Sequence, residues 1–144
     1  MLWYAEGLAA FVNGDVDWVT DTIRVALVAS AYTPNQGEDA NWGEISEHEV
    51  SGTGYTAGGA EIGTRTVNVD SGTLRAQLRG DDVTWSESTI TAHYAVVYMD
   101  TGVASTSLLL GYSDFDEDKS SENGNFTLDA DQVQGWLRIT ASAT

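Results

Sequence analysis

The chain has 144 residues, enough for one domain with a sizeable hydrophobic core. It carries 22 Asp and Glu residues against six Lys and Arg residues, and the resulting net charge of −16 repels both phosphate backbones and anionic lipids. The absence of cysteine excludes disulfides, thiolate metal sites and a cysteine nucleophile. We therefore expect a single domain over residues 1–144, with neither nucleic acid nor a membrane as its partner.

The acid-rich composition, with Lys119 as the only lysine, resembles that of proteins from extreme halophiles. An acidic surface protein of a mesophile, or a protein that collects divalent cations, would have a similar composition. Fifteen glycines and one proline, together with many Thr, Val and Tyr residues, favour short strands separated by glycine turns.

The first predicted element is a short amphipathic helix over residues 2–12. Apolar residues recur there at helical spacing, namely Leu2, Ala5, Leu8, Ala9 and Val12. Gly14 follows and suits the left-handed position that ends a helix. We expect the helix to pack on the domain's own core, with Trp3 and Tyr4 near its edge, where they could contact a neighbouring subunit. The segment lacks a basic lead and is a poor signal peptide, and no apolar run approaches the roughly 18–20 residues that span a bilayer.

Alternation over Thr22–Ser30 predicts a half-buried strand, with Ile23, Val25 and Leu27 on its apolar side. Residues 31–62 are rich in glycine and look irregular, apart from a short helical turn predicted around Glu44–His48. A loop of this length in a compact domain is usually functional or an interaction arm.

Strand patterns resume after residue 62. Together with Thr22–Ser30 they make eight candidate strands, the others being Thr64–Val69, Leu74–Arg79, Val83–Trp85, Tyr94–Met99, Leu108–Phe115, Asn125–Leu128 and Trp136–Thr140. In Leu74–Arg79 the alternation places Leu74 inward and Gln77 outward. Tyr94–Met99 and Leu108–Phe115 are apolar on both faces and should be central strands. The pattern predicts a mainly β chain, an antiparallel sandwich or jelly roll, since no crossover helices are visible.

Asp100-Thr101-Gly102 after an apolar strand, followed by Leu109-Leu110-Gly111, contains the two sequence elements of an aspartic protease. The spacing argues against that function, because only six residues separate Gly102 from Leu109, and such a short connection suits a hairpin. We therefore predict no enzyme and no catalytic residue, and we interpret Asp100 and Gly102 as turn residues.

The acidic run Asp114, Asp116, Asp118 and Ser120 resembles the first half of a calcium loop. The match then fails, because Lys119 occupies the required glycine position and Asn125 stands in place of the bidentate Glu. A solvated acidic turn is the simpler interpretation. No cofactor is expected, although weak binding of a divalent cation by Asp114, Asp116 and Asp118 stays open.

Five tryptophans and six tyrosines leave a second function open, because aromatic side chains line sugar-binding faces as well as cores and interfaces. A carbohydrate-binding sandwich module is therefore an alternative, with Trp42 as a candidate contact. Neither His48 nor His93 belongs to a recognisable catalytic motif, and both are expected to be structural.

The chain also resembles a family of small virion proteins of tailed phages. The likeness lies in YAEGLAAFVNGDVDWVTDTIRVALV at the start, then in VSGTGYTAGGAEI, DDVTWSESTITAHYAVVYMDTG and LLLGYSDF, and so spans most of the chain. It is closest to capsid decoration, or cement, proteins. The acidity suggests a virus of a halophilic host, such as a haloarchaeal tailed virus.

The resemblance implies a structural protein on the capsid surface of the virion, made in the host cytoplasm. Its partners would be the major capsid protein and other copies of itself, as a homotrimer. A head–tail connector or a tail component is the alternative within this class. The candidate interface residues are Leu2, Trp3, Tyr4, Trp42 and Tyr55, since the N-terminal helix and the 31–62 segment are the best placed to reach a neighbour.

Overall fold

Antiparallel β-sheets and a short N-terminal helix make up most of the chain, as predicted, in a computed structural model that describes residues 1–131 and 135–141. The elements in chain order are β1 Leu2–Trp3, α1 Ala5–Asn13, β2 Ile23–Val28, α2 Trp42–Ile45, β3 Ala60–Glu61, β4 Thr66–Asp70, β5 Arg75–Arg79, β6 Val83–Met99, β7 Leu108–Leu128 and β8 Leu137–Thr140. The helical turn predicted around Glu44–His48 is confirmed by α2 and by the 3-10 turn Ser46–His48 that follows it.

The strands form two sheets. The larger sheet has the order β1-β7-β6-β2-β3, and the smaller one has the order β4-β5-β8. β6 and β7 form a long hairpin whose register runs from Val83 opposite Leu128 to Met99 opposite Leu108, so the hairpin predicted across the Asp100 turn is confirmed. Val83–Trp85 and Tyr94–Met99, predicted as separate strands, are both parts of β6. Leu108–Phe115 and Asn125–Leu128 likewise join in β7.

The main core lies between the two sheets. Leu78 and Leu137 of the smaller sheet are buried in the same cluster as Val25, Val97 and Leu110 of the larger sheet. The arrangement is therefore sandwich-like, with one small sheet covering part of a large one.

A second core covers the opposite face of the larger sheet. Ala26 and Val28 of β2 and Val96 of β6 pack there against Tyr32 and Trp42 of the long connection. The prediction of a half-buried β2 is consequently wrong. Alternation along the strand cannot show that residues distant in sequence cover its second face.

Helix α1 starts later than predicted, because Leu2 and Trp3 pair with β7 as a short strand. It ends as predicted at Gly14, whose φ is +87°. The predicted inward face is wrong, since Val12 is exposed while Gly7 is buried. A Cβ built on Gly7 would lie 2.0 Å from the carbonyl oxygen of Leu109, so glycine lets the helix rest directly on the β7 backbone.

Two inward and outward assignments on β5 are also wrong. Leu74 precedes the strand in a turn with φ of +56° and is exposed, whereas Gln77 is buried at 1% exposure. Gln77 lies in the middle strand of the small sheet, where it accepts hydrogen bonds from the Arg79 guanidinium at 3.1 and 2.7 Å. Alternation assigns a residue to one side of a strand, and it carries no information about the turn that exposes Leu74 or about the neighbouring side chains that cover Gln77.

Candidate docking surface

The hairpin formed by β4 and β5 exposes apolar side chains to solvent. Val69 is 82% exposed, Val67 48% and Leu74 54%. β4 lies at the edge of the small sheet, and its described residues pair only with β5. Soluble proteins usually shield such edges, so an apolar edge strand is a recognised site for contact with another chain.

The turn of this hairpin is held by Asp70. One carboxylate oxygen accepts the backbone N–H groups of Gly72, at 2.9 Å, and Thr73, at 3.3 Å. The Thr73 side chain and these N–H groups lower the pKa of Asp70 below its ordinary value. The hairpin that carries the apolar side chains therefore has a defined turn.

Half of the side-chain cations lie on the small sheet. The whole chain has six Lys and Arg residues, and three of them are in this sheet, Arg75 and Arg79 on β5 and Arg138 on β8. The three strands contain a single acidic residue, Asp70 on β4. The register places Gln77 opposite Arg138, so the three arginines surround Gln77 on one face. A patch of opposite sign thus exists on a strongly acidic molecule.

The acidic run forms an irregular bulge in β7, which we call the acidic bulge and define as Asp114 to Asp118. Pairing with β6 jumps there from Tyr94 opposite Asp114 to Ala92 opposite Lys119, and Asp116 has a φ of +65°. The run is therefore a bulge within a strand, in place of the predicted turn.

His93 bridges the two ends of the acidic bulge. Its Nδ1 lies 2.9 Å from a carboxylate oxygen of Asp118, and its Nε2 lies 3.3 Å from one of Asp114. The Asp116 backbone N–H donates to Asp114 at 2.8 Å. Across the described part of the chain, no group of three or more His, Asp or Glu side chains converges to hold a metal ion.

The predicted interface residues lie in different environments. Leu2 is exposed, whereas Trp3 is half-buried and its indole N–H donates to the Arg138 carbonyl at 3.0 Å. Tyr4 is fully buried and its hydroxyl lies 2.8 Å from that of Tyr32. Trp42 is 7% exposed and stacks on Tyr98, with ring centroids 4.8 Å apart. The structure therefore does not bring these residues together on one surface.

A polar network ties the 31–62 segment to the larger sheet. The Tyr55 hydroxyl donates to Glu49 at 2.7 Å and accepts the Leu27 backbone N–H at 3.0 Å. Glu49 also accepts the Gly58 N–H at 2.6 Å, and the Tyr98 hydroxyl donates to the Gly58 carbonyl at 2.6 Å. Burial raises the pKa of Glu49 despite these two donors, and it raises the pKa of Tyr98 to about 12.

A second network holds the start of the same segment. The Tyr32 hydroxyl donates to Asp39 at 2.6 Å, and Asp39 also accepts the Asn35 backbone N–H at 2.9 Å. Burial is the main cause that raises the pKa of both Tyr4 and Tyr32, so both hydroxyls keep their protons. With Trp42 buried, the segment forms one layer of the fold.

Asp100 lies in the turn between β6 and β7. It accepts the Gly102 backbone N–H at 2.8 Å and the Arg24 guanidinium at 2.8 Å. The Gly102 N–H and, to a smaller extent, Arg24 hold the pKa of Asp100 below its ordinary value, although partial burial opposes them. Gly102 has a φ of +86°, as expected for a residue that reverses the chain.

A cavity of about 730 Å³ opens beside the distal part of β7. Its lining combines aromatic and polar side chains, among them Phe115, Phe126, Trp136, Asn125, Lys119 and Arg138. The volume lies in the range of roughly 300–1,000 Å³ that small-ligand sites occupy. The indole N–H of Trp136 is already directed at the Asp81 carbonyl, at 3.2 Å.

Sequence reasoning missed the exposed hairpin. Alternation in Thr64–Val69 suggests that Val67 and Val69 face a core, and only the position of β4 at a sheet edge exposes them.

No family model, no curated protein and no solved structure matches this chain. Over the residues that the structure describes, no helix is long and apolar enough to cross a bilayer.

Proposed function

We propose that this chain is a structural protein of a virus particle that decorates the outer surface of the capsid. The single observation that carries the proposal is the exposed apolar hairpin at Val67, Val69 and Leu74. Exposed apolar patches on soluble proteins mark surfaces that bind other proteins. The resemblance of the sequence to small virion proteins of tailed phages suggests that the bound partner is a viral capsid.

The acidic composition supports the same proposal. A surface with a net charge of −16 repels nucleic acid, which suits a protein on the outside of a filled shell. Many shallow contacts, repeated over a lattice by linked copies, give high total stability through multivalency. The partners would be the major capsid protein and further copies of this chain. A halophilic host is part of the proposal, because salt at about 1 M shortens the Debye length to about 3 Å and so screens the self-repulsion of such a surface.

The experiment is to image purified particles and to measure the copy number of this chain relative to the major capsid protein. We expect many copies on the outer surface and release of the chain, with weakening of the shell, at low salt. Chelator treatment tests separately whether a divalent cation takes part. A single ring of copies at the neck or tail would replace the proposal with a connector or tail role.

A carbohydrate-binding function is the second candidate, and the cavity beside β7 favours it. Aromatic faces with neighbouring amide and charged groups are the features that sugars need. Because Trp42 is buried on Tyr98, the test belongs at the cavity, with Asn125→Ala and Phe115→Ala. Glycan-array binding that both substitutions abolish would support this function, and an array without signal would exclude it for the glycans displayed.

A further inference from the structure

The acidic bulge has a conformation that regular strand pairing does not supply. The register between β6 and β7 shifts across it, and Asp116 has a φ of +65°, in the left-handed region. Aspartate tolerates this region better than most residues, but the conformation still costs free energy that surrounding contacts must offset. The contacts that fix the bulge therefore determine whether it keeps this shape.

Two of those contacts are made by one imidazole ring. The Nδ1 atom of His93 lies 2.9 Å from a carboxylate oxygen of Asp118, and its Nε2 atom lies 3.3 Å from Oδ1 of Asp114. The same Asp114 oxygen accepts the backbone N–H of Asp116 at 2.8 Å. The His93 side chain is only 20% exposed, so both contacts are partly shielded from water.

These contacts depend on the charge of the ring. An ionised carboxylate only accepts hydrogen bonds, whereas a neutral imidazole has one N–H and one nitrogen lone pair. The imidazolium form alone can donate to both carboxylates at once. In the neutral form a nitrogen lone pair would face a carboxylate oxygen, and we expect the longer contact, to Asp114, to be the one that is lost.

The other ionisable groups around the ring leave this dependence in place. The ring of Tyr94, the next residue of β6, has its centroid 4.8 Å from that of His93. Burial and, to a smaller extent, the charge of Asp114 raise the pKa of Tyr94, so its hydroxyl stays neutral. Lys119, just after the bulge, donates to Glu117. Among the residues that the structure describes, the two carboxylates are therefore the charged groups that contact the ring.

We propose that His93 is a pH-sensitive latch, whose protonated ring holds the acidic bulge in place and whose neutral form releases the Asp114 end. Histidine side chains change charge between about pH 5 and pH 8, whereas carboxylates ordinarily titrate near about pH 4. The ring is consequently the group that changes charge in this range. The proposal goes beyond the virion role and does not depend on it.

The latch acts on one wall of the cavity beside β7. Phe115 and Lys119 line this cavity, and the ring centroids of Phe115 and Phe126 are 6.4 Å apart. Because Asp114 also holds the backbone of Asp116, its release loosens the residues on both sides of Phe115. The cavity should therefore change shape between mildly acidic and mildly alkaline solution.

Nuclear magnetic resonance on the isotope-labelled full chain tests the latch. At about pH 5 both ring nitrogens of His93 should carry protons, and the Asp116 amide should be protected from exchange with water. At about pH 8 one ring nitrogen should have lost its proton. The Asp116 protection factor, corrected for the intrinsic exchange rate at each pH, should then be at least about threefold lower, as expected for the loss of a partly exposed charged hydrogen bond.

Two substitutions remove the switch in different ways. Asp114→Asn keeps an oxygen for the Asp116 N–H and offers an N–H to the lone pair of the neutral ring, while His93→Gln removes the titrating group. In both variants the protection of Asp116 should be independent of pH over this range. His48→Gln is the matched control and should keep the pH dependence, because the His48 ring lies 3.5 Å from one carboxylate, that of Glu47, in the 3-10 turn.

Three results would each overturn the inference. One is an Asp116 protection factor that stays constant while the His93 ring loses its proton. Another is a pH dependence that persists in either Asp114→Asn or His93→Gln, and the third is its disappearance in His48→Gln. Circular dichroism checks that the variants are folded, and the measurement on the unmodified chain stands without them.

Discussion

The segment over residues 31–62 is long and mostly irregular, whereas the β4–β5 hairpin is short and regular. A long irregular segment would be expected to be free to bind a partner and a regular hairpin to be buried, but the structure shows the opposite. The long segment buries Tyr32 and Trp42 and is hydrogen-bonded to the larger sheet through Tyr55. The regular hairpin leaves Val69 82% exposed at a sheet edge. Buried side chains and satisfied polar groups, more than secondary structure, decide which part of this chain is free to bind a partner.

The largest expected effect tests whether the long segment is part of the fold. Trp42→Ala removes the ring that stacks on Tyr98, and it should lower the free energy of unfolding by about 3–5 kcal/mol. Urea denaturation followed by circular dichroism measures it. Trp42→Phe is the matched control and should retain most of the stability. A loss below about 1 kcal/mol would mean that the segment is a loosely attached arm.

A smaller effect tests the hydroxyl network at the start of the segment. Tyr32→Phe keeps the ring and removes the hydroxyl that joins Tyr4 to Asp39. The buried Tyr4 hydroxyl then loses a partner, which should cost about 1–3 kcal/mol. Tyr4→Phe, made separately and in combination, completes a double-mutant cycle by the same denaturation assay. Additive losses would contradict a coupled network.

The pH dependence of the segment follows from Glu49. Its pKa is raised in the folded chain, so its contribution to stability is fully present below about pH 4.3, the ordinary pKa of Glu, and is lost as the pH rises through the folded value. Glu49→Gln keeps an oxygen acceptor for Tyr55 and Gly58 and removes the titration. The free energy of unfolding of the unmodified chain, measured relative to that of the Glu49→Gln variant across this window, should fall as the pH rises. Identical slopes would contradict the role of Glu49.

The smallest effect on stability is expected at the hairpin. Val69→Ala should change the free energy of unfolding by less than about 0.5 kcal/mol, because the side chain already contacts water. The same substitution at fully buried Val97 should cost about 2–3 kcal/mol. Thermal unfolding of the two variants compares the sites directly. Similar losses at both positions would show that the hairpin valines are core residues.

Much of this architecture could be predicted from the sequence. The hairpin across Asp100 follows from two apolar runs and a six-residue connection, and the helical turn around Glu44–His48 was also recognisable. It was harder to predict which side chains are exposed, because exposure depends on which strands lie at a sheet edge and on which segments cover them. Leu74 was predicted to be buried and is exposed, whereas Gln77 was predicted to be exposed and is buried. Strand β2 is buried on both faces because the segment over residues 31–62 covers its second face.

The candidate docking surface was less predictable for the same reason. Aromatic and apolar residues in irregular or terminal segments often bind partners, and this pattern predicts an interface made of Leu2, Trp3, Tyr4, Trp42 and Tyr55. Tyr4 and Trp42 instead complete the second core, and Tyr55 anchors the long segment. The sequence around Val67 and Val69 does not distinguish them from buried valines, and their exposure is seen only in the three-dimensional structure.

Hydrogen–deuterium exchange on the full chain, free in dilute solution and assembled on particles, tests the central claim most directly. We predict that assembly slows exchange in residues 66–79, which contain the hairpin, and leaves exchange in residues 31–62 almost unchanged, because that segment is already hydrogen-bonded and buried within each copy. Protection gained over residues 31–62, with the hairpin unaffected, would contradict the account.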